Sequence, residues 1–284
     1  MTDAAQGEPK QHEVFEKPFK VEPVFSSAQT PASYRRNPGG ESLPARIKFW
    51  RIQEPKKGTL TVGSVVSRSW GFEDSPDAEI LVPGLNFGKE SGAVGIGRHA
   101  NFLQWGFNAP PSQMTEAGRR LFLNCIGYIA KFDGKRPLVR AVSPPREIAL
   151  LLAGVAPDQA ERTFAESVRK EFTGNPKGLR GHLQKHFELI YFARGTFAID
   201  QDLLALGLPS NRKPATLERL ITLLAEGKNT PTVQKLLARY TDRKYTTARE
   251  WQEWFTQNKG RIYFSDVGGY KFRTIPDGYL KLWL

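Results

Sequence analysis

The stretch that decides the fold covers residues 93–134. It opens Ala93-Val94-Gly95-Ile96-Gly97-Arg98-His99-Ala100-Asn101-Phe102-Leu103-Gln104-Trp105-Gly106-Phe107 and passes through Pro110-Pro111-Ser112 to Thr115 and Glu116. Two short apolar runs, Ala93-Val94-Gly95-Ile96 and Phe102-Leu103-Gln104-Trp105, flank a turn at residues 97–101, which is the pattern of a β-hairpin. The two prolines then break the chain, and Ser112 or Thr115 can cap a new helix. Leu121, Phe122, Cys125, Ile126, Ile129 and Phe132 recur three and four apart, so they share one helix face. Asp133-Gly134 ends the run. A hairpin followed by an amphipathic helix predicts a small sheet with one covering helix.

Upstream, Ile47, Phe49 and Ile52 fall near alternating spacing, and Leu60, Val62, Val65 and Val66 are bounded by glycines. Ala78-Glu79-Ile80-Leu81-Val82 ends at Pro83-Gly84. All of these read as strands. Residues 1–40 read as an extended lead-in, because Pro9, Pro18, Pro23, Pro31 and Pro38 recur without either period. Val14-Phe15, Phe19 and Val24-Phe25 can pin it to a surface. Downstream, helices are predicted over 146–155, 157–172, 177–192, 200–206, 216–226, 230–240 and 247–258, with Pro157, Pro214 and Pro231 at starts and Gly195, Gly207 and Gly227 at stops. Residues 261–264, 270–272 and 280–284 suit a short aromatic hairpin around Gly268-Gly269. The expected class is α+β. Its parts are a lead-in (1–40), a sheet-plus-helix domain (41–140) and a mainly helical domain closed by a hairpin (141–284).

The 284 residues are 39% hydrophobic, 25% charged and 11% aromatic, an ordinary globular composition. No apolar run approaches the ~20 residues of a membrane-spanning helix. A single cysteine rules out an internal disulfide and a cysteine-rich zinc site. Lys plus Arg exceeds Asp plus Glu by 41 to 29, a net charge of +12. Up to Arg140 there are 19 basic and 14 acidic residues; beyond it there are 22 and 15. The excess is spread along the chain rather than gathered in a tail, so it permits a nucleic-acid partner without demanding one. The polar, acidic start lacks the basic end and apolar middle of a secretory signal. The expectation is a cytoplasmic protein, or an exported one whose leader has been removed.

The chemistry-bearing residues concentrate at the hairpin. Arg98, His99, Asn101 and Trp105 fall within one strand–turn–strand unit, where a guanidinium and an imidazole beside an aromatic wall make a pocket for a small anionic or sugar-like ligand. The structural alternative is that His99 caps the turn and Arg98 pairs with Asp77 or Glu79. Asp74, Asp77 and Glu79 precede the strand, and a carboxylate near His99 is suited to acid–base work. His182 and His186 lie four apart, yet no third ligand follows at metal-site spacing. No metal or cofactor is expected. Residues 84–97 are glycine-rich without a phosphate-binding pattern. Trp251, Trp254 and Phe255 form a packed helix stripe, and residues 228–261 carry eight basic residues against three acids, which keeps nucleic acid as an alternative.

The block from Asp74 onward contains Asp-Ser-Pro-Asp-Ala-Glu, then Gly-Arg-His-Ala-Asn-Phe-Leu-Gln-Trp-Gly-Phe, Pro-Ser-Gln-Met-Thr-Glu and Asn-Cys-Ile-Gly-Tyr-Ile-Ala-Lys-Phe-Asp-Gly. It resembles a block of uncharacterised bacterial proteins. More distantly, it is similar to the final strands and helix of the trehalose-utilisation (ThuA-like) branch of the class I glutamine amidotransferase-like fold. There a Gly-x-His turn ends a strand before a helix. The resemblance covers about 60 residues, on the order of a small domain's core. In that fold a nucleophilic cysteine sits on a tight strand-to-helix turn. Here the only thiol, Cys125, lies on the apolar face of the predicted helix, and the sequence holds no Gly-x-Cys-x-Gly or Gly-x-Ser-x-Gly elbow. The resemblance therefore implies a terminal portion of the fold without its hydrolytic apparatus. The expected function is a non-catalytic ligand-binding or assembly protein, with Arg98, His99, Asn101, Trp105, Asp77 and Glu79 at its surface. The alternatives are a hydrolase using His99 with Asp77 or Glu79, and nucleic-acid binding through the helical domain.

Overall fold

A computed structural model describes the whole chain except residues 1, 38, 55–64, 156–159, 171, 173–174 and 280–284. The fold is α+β, mixing helices with small antiparallel sheets. It forms two units. The first comprises residues 1–73 and 77–138; the second comprises residues 74–76 and 139–284.

The first unit holds two three-stranded sheets. In one, β3 (Arg46–Arg51) lies between β1 (Ala4–Gln6) and β2 (Phe25–Gln29), antiparallel to both. Strand alternation gives β3 two buried faces. Ile47 packs with Ala4, Tyr34 and Leu85, whereas Trp50 packs with Ala5 in the main core. The predicted lead-in is thus corrected: residues 1–40 supply two strands and the buried side chains of Val14, Phe15, Val21 and Tyr34. The second sheet runs β4 (Ala78–Pro83), β5 (Val94–His99), β6 (Phe102–Trp105), all antiparallel. The predicted strand residues Leu60 and Val62 lie outside the described residues.

Helix α1 (Glu116–Ile129) starts where expected. The Thr115 hydroxyl accepts from the Gly118 amide at 3.0 Å. Gly118 is required at this position because a Cβ there would lie 1.9 Å from the Ile52 carbonyl oxygen. Leu121, Cys125 and Tyr128 face the core with Leu81, Ile96 and Phe107. Ile126, predicted on that face, is instead exposed, and Asn124 is buried. Asn124 Nδ2 donates to the carbonyls of Val14 (2.8 Å) and Phe19 (2.6 Å), and its Oδ1 accepts from the Phe19 amide (3.0 Å). One amide side chain thereby stitches the start of the chain to α1.

The second unit packs its helices around one hydrophobic core. They are α2 (Glu147–Val155), α3 (Ala160–Thr163), α4 (Glu166–Arg169), α5 (Pro176–Lys185), α6 (Gln201–Ala205), α7 (Pro214–Ala225), α8 (Thr230–Tyr240) and α9 (Ala248–Asn258). A capping box between Thr247 and Glu250 starts α9. The predicted helix over 177–192 ends at Lys185. It is followed by a hairpin of β7 (Ile190–Ala193) and β8 (Thr196–Ile199). Arg194 and Gly195, with φ of 52° and 82°, make the turn, and no helix accommodates two successive left-handed residues. The predicted helix over 157–172 divides into α3 and α4, and its start at Pro157 lies outside the described residues. The closing hairpin pairs β9 (Ile262–Ser265) with β10 (Lys271–Thr274); residues 280–284 are not described. No helix among the described residues is long and apolar enough to cross a membrane.

Candidate functional site at the β5–β6 hairpin

Of the six residues singled out from the sequence, Glu79, Arg98, His99 and Trp105 lie on the second sheet, Asp77 just before β4 and Asn101 in the turn between β5 and β6. Arg98 and His99 are successive residues of β5, so their side chains leave opposite faces. Across the hairpin, Arg98 is opposite Leu103 and His99 opposite Phe102. Trp105, opposite Ile96, shares the inward face of Arg98. The guanidinium and imidazole therefore do not stand side by side.

Arg98 is fully buried. Its Nε donates to Glu79 Oε1 at 2.6 Å and to the Tyr128 hydroxyl at 3.3 Å, and the guanidinium stacks 3.9 Å from the centroid of Phe132. Its Nη1 donates to the carbonyls of Asp77 (3.1 Å) and Ala100 (3.2 Å), which flank the turn. Glu79 also accepts from the Tyr128 hydroxyl. Its other oxygen lies 3.4 Å from His12 Nε2. Burial pushes the Glu79 carboxyl up, but hydrogen bonds from His12, Tyr128 and Arg98, with the Arg98 charge, hold it down at about 2. The Tyr128 hydroxyl is raised by burial and by Glu79, against the lowering by Arg98.

On the other side, His99 Nε2 lies 3.3 Å from Asp77 Oδ1. Asp77 is fully buried, and its Oδ2 accepts from the Leu138 amide at 2.7 Å. The His99 side chain is 31% exposed. The turn beneath it is tight: the Ala100 amide donates to the Asp77 carbonyl at 2.9 Å, and Ala100 itself is left-handed with φ of 49°. Asn101 and Trp105 are half-buried. Asn101 Oδ1 and Trp105 Nε1 find no hydrogen-bond partner among the described residues. Trp105 packs edge-on against Phe107 and Phe122. The Asp77 and Glu79 carboxylates each serve a different base. Asp74 belongs to the second unit, where its Oδ2 accepts from the Asp266 (2.5 Å) and Val267 (3.2 Å) amides.

Cys125 is buried, and burial pushes its thiol up to about 12. Among the described residues no group of three His, Cys, Asp or Glu side chains gathers as a metal site would. The His182 and His186 rings meet at a tilt with centroids 4.8 Å apart, and His182 also packs on Phe172.

Sequence reasoning missed His12 and Tyr128. Tyr128 carries a faint signal, since it sits three positions beyond Cys125 on the same stripe; His12 carries none. It also missed the buried polar network of the second unit. There Arg146 makes paired bonds to Asp266 (2.6 Å each) and reaches Asn211 (3.1 Å). The Tyr240 hydroxyl donates to Asp200 at 2.5 Å, and Arg239 pairs with Asp200. The basic stretch 228–261 changes meaning as well. Lys228, Lys235, Arg239, Arg249, Lys259 and Arg261 all have carboxylate partners, most of them from other elements.

Comparison of the chain with protein-family models, with curated proteins and with solved structures gives no match.

Proposed function

We propose that the protein is a non-catalytic ligand-binding or assembly protein that presents the tip of the β5–β6 hairpin. The observation that supports this reading is the fixed geometry of that tip. Arg98 ties both sides of the turn, and Asp77 orients His99. Phe102, opposite His99 in the register and 64% exposed, offers an apolar ring on the same face. An imidazole held in place beside an exposed ring loses little conformational freedom on binding, which favours recognition of a small anionic or sugar-like ligand or a partner chain. The buried thiol of Cys125 fits a protein that holds rather than cleaves. In this reading the ThuA-like resemblance stands for a portion of a fold without its nucleophile. The ion pairs along residues 228–261 leave the nucleic-acid alternative with less support.

The test is to follow the ring signals of His99 and Phe102 by NMR in the full chain. Inorganic phosphate, a sugar acid and a neutral hexose are added in turn, with sedimentation over a wide concentration range alongside. Selective shifts, or a self-association abolished by Phe102→Ser, are expected. Unmoved signals together with a strictly monomeric chain would overturn the reading.

The 3.3 Å approach of Asp77 to His99 favours a second reading, a hydrolase in which Asp77 orients His99 as general base. Glu79 has no part in it, being engaged by Arg98. Turnover of activated esters or glycosides, lost at least about a hundredfold in His99→Ala, would replace the binding reading with this one.

A further inference from the structure

Within the second unit, one buried cation is surrounded by more carboxyl groups than it can neutralise. Arg146 is fully buried and is matched by Asp266, which takes both of its strong bonds. Two further carboxyls face Asp266 itself. Glu147 opens α2 directly after Arg146, and Asp74 closes on the turn that follows β9. Asp74 leaves one of its two oxygens unused. Its Oδ2 accepts the amides of Asp266 and Val267, while Oδ1 is buried with no hydrogen-bond donor among the described residues. An ionised Asp74 thus places charge on an unsatisfied buried oxygen next to the carboxylate of Asp266, a costly arrangement. A protonated Asp74 keeps both amide bonds and carries no charge.

We propose that Asp74 is a proton-operated clasp on the β9–β10 turn, closed when its carboxyl is protonated and loosened when it ionises. The groups facing it are Ser265, whose hydroxyl bonds the carboxylate, and Asp266 from β9 and its turn, and Tyr270 from the approach to β10; Arg146 and Glu147, from the start of α2, act on the same Asp266. Their balance agrees with the geometry. Burial and the Asp266 charge raise Asp74 to about 6 against the pull of its hydrogen bonds. Burial and Asp266 raise Glu147 to about 7 despite Arg146 and Arg212. The sign follows from linkage: a carboxyl raised on folding favours the closed form at low pH, and that advantage is lost as pH rises through its folded value.

The experiment is amide hydrogen exchange at Asp266 and Val267 in the full chain, corrected for intrinsic exchange, across about pH 5 to pH 8. Protection is expected to fall about tenfold over that range, the loss a carboxyl raised from 3.8 to about 6 produces. Asp74→Asn, neutral throughout, should remove the tenfold share that Asp74 supplies at those two amides and leave only the slope due to Glu147. A flat profile in the unmodified chain, or the same slope in Asp74→Asn, would overturn the proposal. Direct carbon NMR titration of the Asp74 carboxyl in the unmodified chain decides the matter should the variant fail to fold; titration below about pH 4.5 would also overturn it.

Discussion

Each unit buries one arginine completely, and the two arginines live in opposite electrostatic surroundings. Arg98 pairs with the Glu79 carboxylate, which also collects donors from Tyr128 and His12. Arg146 meets Asp266, whose charge also bears on Asp74 and Glu147. In the first unit donors outnumber acids, and the carboxyl is driven down. In the second, acids outnumber cations, and two carboxyls are driven up. Burial is common to both, so the ratio of acids to donors decides which way a buried carboxyl titrates.

The largest expected effect removes the cations. Arg146→Met should cost about 3–5 kcal/mol in chemical denaturation, because it leaves the buried Asp266 without its cation, and Arg98→Met somewhat less, because the half-buried Glu79 keeps Tyr128 and His12. The comparison sharpens with pH. Lowering pH from about 8 to about 5 should recover part of the loss in Arg146→Met, where carboxyls already poised to protonate surround the gap, and should recover little in Arg98→Met. Equal recovery in both would dissolve the distinction.

The unmodified chain should show the same contrast more gently. Glu79 sits below its usual value in the folded unit. It therefore contributes on the order of 3 kcal/mol that is fully present above about pH 4.5 and fades as pH falls toward about 2. The second unit should instead gain stability as pH falls from about 7 to about 5, as Glu147 and Asp74 protonate. Hydrogen exchange resolved by unit would read opposite slopes, and parallel slopes would count against the contrast.

The smallest effect concerns the stitching of the first unit. Asn124→Ala should cost about 1–3 kcal/mol by leaving the carbonyls of Val14 and Phe19 unpaired. Exchange should speed up at residues 14–19 before it does so in β5.

Much of the first unit was legible in sequence because its signals are local. The residues of the β5–β6 hairpin, the Thr115 cap and the buried stripe of Leu121 and Cys125 are each set by neighbours within a few positions. Residues 1–40 read as an extended lead-in rather than as strands because strands of three and five residues are too short to show a period and prolines recur through the segment. The helix predicted over 177–192 overran because Ile190-Tyr191-Phe192 continues an apolar stripe as readily as it starts a strand; only the demands of the Arg194-Gly195 turn separate the two. For the candidate site, the sequence named Arg98, Asp77, Glu79 and His99 but not which acid takes which base. That pairing depends on the hairpin register and on Tyr128 and His12 arriving from distant segments. The basic stretch 228–261 lost its apparent excess for the same reason, since its neutralising acids include Asp202, Glu218 and Asp277.

The bonds of Asn124 have a consequence for biosynthesis. Val14 and Phe19 must wait for a side chain 110 and 105 positions later before their carbonyls are satisfied. While the ribosome is still making the intervening chain, Val14, Phe15 and the edge of β1 remain uncovered in the nascent polypeptide. Arrest of translation before α1 emerges would leave a species prone to capture by chaperones, and release past residue 132 would let the core close around it.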